Sequence, residues 1–225
     1  MKLKEKYTIE DLFEIMHILR GENGCPWDRV QTHESIKKNL IEECYESIDA
    51  YDSGDDRAFA NELGDVLLQV VFHAVIAEER DAFNFDDILY ELCTKLITRH
   101  THVFGDDKAG DAKDALGFWE KSKSKEKEGK KAPVFDVPRG LPALMRTQKI
   151  QKKATAAGFD FGTKDEIIAK LISNLESVKC ADETDNERVI KDILFDASAL
   201  ASSFGIDAET ALDARTQLFM DNFDK

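Results

Sequence analysis

The 225-residue chain carries 45 acidic against 31 basic side chains, a formal net charge of -14, which disfavours a nucleic-acid polymer or an anionic membrane as its main partner. Its 42% hydrophobic content is enough for one large domain or two small ones. Cys25, Cys44, Cys93 and Cys180 show no CxxC and no disulfide-rich spacing, and the N-terminus lacks the apolar core of a signal peptide, so the reading is reduced thiols in a cytoplasmic protein. No apolar run reaches the length of a membrane span, the longest being interrupted by Gln69 and His73.

The first helix is predicted to begin after Thr8, whose hydroxyl can cap it with Asp11 three residues on, and Ile9, Leu12, Phe13, Ile15, Met16, Ile18 and Leu19 are read as its core-facing stripe. Glu14 and His17 form a Glu-x-x-His with no second copy, which disfavours a di-iron bundle and leaves the pair on the surface. A loop follows, Gly24 to His33, in which Gly and Pro break the helix. Its Trp27 either stacks on a base or anchors the loop to the core.

The second helix is predicted over about 33–51 and the third over about 56–80, joined by the turn signal Asp52-Ser53-Gly54-Asp55-Asp56. Glu43 and Glu46 on one, and Glu62 and Asp65 on the other, are spaced by three residues, which puts each pair on one helix face. An antiparallel hairpin brings those faces together. Four carboxylates converging beside the apolar run Val66–Ala77 cannot all stay ionised without compensating charge. A hard divalent cation supplies it, and the pattern favours a metal site over a plain acidic surface. The apolar run itself predicts a helix buried on most sides.

A fourth helix is predicted over about 85–98. Lys95 and Arg99, one turn apart, either offset the helix dipole or hold phosphate; beside an acidic metal site the second reading is preferred. His100 and His102 sit in the departing loop. Residues 121–131, KSKSKEKEGKK, read as a solvated charged tract, and Pro133, Pro138, Gly140 and Pro142 after it mark a domain boundary. The expected division is residues 1–125, a linker over 126–140, and a second helical domain over 141–225.

The second half reads as a damaged copy of the first. Segments 144–161, 167–178, 189–204 and 208–223 parallel the four helices, but Asn174 and Ser177 stand opposite Glu43 and Glu46. Val189 stands opposite Glu62, only Asp192 survives, opposite Asp65, and Leu218 and Asn222 stand opposite Lys95 and Arg99. The helices recur without the site.

Cys25-Pro26-Trp27-Asp28, Gln31-Thr32-His33, Glu42-Glu43-x-x-Glu46, Glu62-Leu63-Gly64-Asp65 and Arg99-His100-Thr101-His102-Val103-Phe104-Gly105 resemble the MazG nucleoside triphosphate pyrophosphohydrolases, of the all-α NTP pyrophosphatase superfamily. Phe118-Trp119-Glu120 extends the likeness, and Lys149–Ala154 with Gly158-Phe159-Asp160 resemble the start of the family's second domain. Thr101 replaces the family's usual Pro. The resemblance implies an all-α fold of two tandem MazG-like bundles, the second degenerate, and hydrolysis of an NTP or dNTP to the monophosphate and pyrophosphate.

It further implies Mg2+ (with Mn2+ as substitute) on Glu43, Glu46, Glu62 and Asp65, and Lys95 and Arg99 on the phosphates. Glu42 is implied as base or supporting group, and Trp27, Gln31, His33 and Trp119 as further substrate contacts. A homodimer is expected, because the third helix is more apolar than one hairpin can cover. The alternative is a nucleotide-sensing or partner-binding protein with little turnover.

Overall fold

The computed structural model describes residues 2–126, 133–178 and 183–223, and among these there are eleven helices and no strand. The chain forms two compact units, Met1–Glu126 and Lys127–Lys225. The first contains α1 (Ile9–Arg20), α2 (Pro26–Val30), α3 (His33–Asp52), α4 (Asp56–Glu78), α5 (Phe85–Arg99), α6 (Thr101–Phe104) and α7 (Ala112–Lys125). The second contains α8 (Ala143–Ala156), α9 (Lys164–Val178), α10 (Glu183–Ser203) and α11 (Ala208–Phe223).

Local chemistry sets the helix starts. The Thr8 hydroxyl accepts from the Asp11 amide at 3.3 Å while the Asp11 carboxylate accepts from the Thr8 amide at 3.0 Å, the reciprocal box expected from the sequence. Thr32 and Ser35 open α3 in the same way, as do Asn84 and Asp87 for α5. Asp55 caps α4 by accepting from the amides of Arg57 and Ala58. Between α3 and α4, Gly54 has φ +75°, a left-handed turn that glycine adopts without steric cost. A tight turn between two long helices makes them antiparallel neighbours.

The core of this unit is built on the C-terminal half of α4: Val71, Phe72, Val75 and Ile76 pack with Met16 and Ile36. Arg20, only 5% exposed, locks the arrangement. Its guanidinium forks onto Glu79 at 2.6 Å twice and also donates to the carbonyls of Asp28 and Gln31, tying α1, α2 and the end of α4 together. The N-terminal half of α4 differs from expectation. Leu63 and Leu67 are 47% and 41% exposed, so that half is not covered within this unit. α4 also has the length and composition of a membrane span, contrary to the sequence reading, but its buried half serves as the core of this unit.

Two loops expected from the sequence contain helix: α2 occupies Pro26–Val30, with Pro at its first position, and α6 occupies Thr101–Phe104. The charged tract is likewise helical at its start, as α7 continues to Lys125; the rest of the tract, 127–131, lies outside the described residues. In the second unit, Gln148 carries much of the packing. Its amide donates to the Ser202 hydroxyl and the Ile206 carbonyl, and its oxygen accepts from the Ala208 amide.

Candidate metal centre

Glu43 on α3 and Glu62 and Asp65 on α4 each offer a carboxylate oxygen within 4.8 Å of the other two. The spacing that put Glu62 and Asp65 on one face works as anticipated, and the hairpin brings Glu43 across to them. All three are half-buried. Among the described residues, no Lys or Arg ion pair reaches them. What reaches them instead is neutral: Asn61 donates to Glu62 at 3.3 Å and to Asp65 at 3.4 Å, and Gln69 donates to Glu43 at 3.4 Å.

The electrostatic consequence appears at Glu43. Burial pushes its carboxyl above the usual range, and the charges of Asp65, Glu46, Glu42 and Glu62 push the same way. A cluster of oxygen donors that raises the pKa of its own member suits a hard divalent cation, whose charge would reverse the penalty. The donor set fits: carboxylates only, with amide N–H groups to orient them.

Glu46 is close enough to act on Glu43 electrostatically but is exposed and stands outside the triad. Glu42 is likewise exposed. Three of the four carboxylates anticipated as ligands are therefore brought together.

The remaining anticipated residues divide into two groups. On α5 and α7, Lys95 is exposed, whereas the Arg99 guanidinium forks onto Glu126 at 3.0 and 2.7 Å and lies 5.4 Å from the centre of the Trp119 ring. Lys123 sits over the same ring at 4.7 Å. At the start of α3, Gln31 donates to the Trp27 carbonyl and accepts from the Ser35 hydroxyl. Trp27 is 57% exposed, so it does not anchor the loop. His33 Nδ1 lies 2.7 Å from His73 Nδ1 with the rings stacked, and burial, with Arg80 and Arg20 nearby, holds its pKa down. His33 is ten residues before Glu43, about 15 Å along the helix axis. Gln31 and His33 thus serve intrachain contacts in this structure.

Sequence reasoning missed Asn61 and Gln69. Gln69 was visible only as an interruption of an apolar run, yet it falls one turn after Asp65, on the same face. That periodicity was the available signal.

An all-α bundle whose central hairpin gathers three carboxylates belongs to the helical proteins built to suit a metal site. Residues 31–104 match the MazG nucleotide pyrophosphohydrolase domain. Over 218 residues the chain is 43% identical to the nucleoside triphosphate pyrophosphohydrolase/pyrophosphatase MazG of Thermotoga maritima, covering 96% of this chain and 84% of that protein. It is 39% identical over 224 residues to the nucleoside triphosphate pyrophosphohydrolase of Escherichia coli K12, covering 96% and 85%. A solved MazG-related protein of Thermotoga maritima aligns with 52% of this chain and 99% of its own at 23% identity and a TM-score of 0.45. The chain belongs to the MazG nucleotide pyrophosphohydrolase family.

Proposed function

We propose that this chain is a nucleoside triphosphate pyrophosphohydrolase, converting an NTP or dNTP and water to the monophosphate and pyrophosphate, with its active site in the first unit and Mg2+ as its cation. The observation that carries the reading is the Glu43–Glu62–Asp65 cluster, in a family whose relatives at about 40% identity are named for this activity. Glu43, Glu62 and Asp65 hold the cation, and the exposed Glu46, one turn from Glu43, completes the set. Mn2+ is the natural substitute. Bound there, a divalent cation lowers the pKa of a coordinated water and neutralises phosphate oxygens.

The chain's own groups do the rest. Glu42 serves as base or steadies the ligands from behind. Lys95 and Arg99 take the phosphate chain; a carboxylate and a phosphate present the same two-oxygen edge to a guanidinium, so Arg99 exchanges Glu126 for substrate. Trp27, Gln31, His33 and Trp119 are the further candidate contacts to the nucleotide. The exposed Trp27 ring is the one available for stacking on a base.

The second unit is read as a degenerate MazG-like domain over 141–225, after a linker at 126–140. Its α9–α10 pair supports this. Asn174 donates to Asp196 at 3.4 Å, as Gln69 donates to Glu43 across α3 and α4, and Lys170 pairs with the same carboxylate at 2.8 Å. The buried Asp196 carboxylate is thus met by an internal ammonium. A homodimer, in the cytoplasm, completes the reading.

The purified chain should release pyrophosphate from canonical NTPs and dNTPs only with Mg2+ or Mn2+. Glu43→Gln should cut turnover about 100-fold or more, since it removes a cation ligand. Relief of carboxylate crowding should at the same time raise the melting temperature of the cation-free protein. Parent-level turnover in Glu43→Gln would remove the triad from the active site. Tight nucleotide binding without pyrophosphate release would instead identify a nucleotide sensor.

A further inference from the structure

We propose that Gln69 is a positioning residue of the metal centre: its amide N–H sets the orientation of the Glu43 carboxylate. This rests on the reading of the triad as a cation site. Gln69 is 5% exposed, the only polar residue among the buried residues of α4. Its Nε2 donates to Glu43 Oε1 at 3.4 Å, while its Oε1 is buried with no hydrogen-bond partner among the described residues. An amide oxygen withdrawn from water and left unpaired is unfavourable, and a leucine at this position would pack without that penalty. The N–H that meets Glu43 is what the amide offers in return.

The second unit gives an independent comparison. On α9 and α10 the same kind of contact joins the Asn174 amide to the Asp196 carboxylate, again at 3.4 Å and with Asp196 4% exposed. There the amide and the carboxylate have exchanged helices, and the other Asp196 oxygen is taken by Lys170 at 2.8 Å. The pair without an acid cluster is thus closed by an internal ammonium. The Glu43 carboxylate, which meets the Gln69 amide in the same way, has no such ammonium among the described residues.

The test is Mn2+ binding to the full chain without nucleotide, followed by electron paramagnetic resonance, with helicity and melting temperature measured in parallel. Gln69→Leu should keep parental helicity and weaken Mn2+ binding 10- to 100-fold. A merely structural glutamine would change the melting temperature and leave the Mn2+ affinity of the folded protein alone; that result overturns the proposal. If Gln69→Leu does not fold, Gln69→Met is the substitute. In the unsubstituted chain, the Gln69 side-chain amide resonances should shift as Mg2+ is added, and resonances that stay put overturn the proposal without any variant. Failure of the parent to take up Mn2+ at all would overturn both this proposal and the cation site itself, whereas parental binding retained in Gln69→Leu would overturn this proposal alone.

Discussion

Arg20 shows how one side chain ties three helices together. It is buried on α1, where an unpaired guanidinium would be costly, and it spends its donors on Glu79 and on the carbonyls of Asp28 and Gln31. The bond from Arg20 holds the Glu79 carboxyl below the usual range, outweighing the effect of its burial. A carboxyl with a depressed folded pKa stabilises the protein above its unfolded pKa, and that contribution is lost as pH falls through the folded value. Glu79→Gln should therefore lower stability at neutral pH by about 1 kcal/mol, the usual strength of a charge-assisted bond reduced because Glu79 is 44% exposed. The difference between parent and variant should shrink below the ordinary glutamate range and vanish beneath the depressed value. Urea titrations at neutral and acid pH check it; a difference independent of pH would mean that the pairing contributes nothing.

At the scale of helices, what the sequence disclosed depended on length and capping. Thr8 with Asp11 marked the start of α1 because their side chains act on amides within three residues, a purely local matter, and the turn signal Asp52–Asp56 separated α3 from α4; the cap that Asp55 supplies to α4 was not singled out. The Glu43, Glu62 and Asp65 cluster was legible for the same reason: helical spacing plus one tight turn determines which side chains meet. α2 and α6 were not, since five and four residues are too few to show a helical period. The start of α7's charged tract misled because lysine and glutamate are good helix formers as well as good solvating residues. Glu46 escaped the triad since, at one turn from Glu43, only one of the two carboxylates is drawn inward.

The contact between Lys170 and Asp196 was beyond sequence reasoning altogether, because it joins two helices at positions the first half fills differently. Lys170→Ala leaves Asp196, 6% exposed at its side chain, without its cation. The loss should be about 1–2 kcal/mol, less than for a fully buried pair because Lys170 is 62% exposed. Calorimetry should show the lowered stability with NTP turnover unchanged, since Lys170 lies in the second unit. A loss of turnover at parental stability would assign that unit a part in the chemistry.

For the whole molecule the open question is what covers the apolar side chains that the first unit leaves in water. Ile41, Tyr45 and Ile48 recur at helical spacing along α3 and are each more than half exposed; Leu63 and Leu67 form a second exposed stripe on α4. The same two helices carry the triad, so whatever packs against them also steadies Glu43, Glu62 and Asp65. Stripes of this kind on two adjacent helices are uncommon on a monomer, and a second copy of the chain related by a two-fold axis would supply matching apolar surface. Burying one such side chain contributes about 1.5–3 kcal/mol, so replacing it by a charge costs at least that much in association. Ile48→Glu should therefore weaken self-association by tenfold or more. Light scattering over a dilution series should find twice the chain mass for the parent and a shift toward the single-chain mass for the variant. NTP turnover should fall in step with dissociation rather than with loss of helicity. A parent that scatters as a single chain at every concentration, while turning over substrate, would show that the hairpin holds its carboxylates in place unaided.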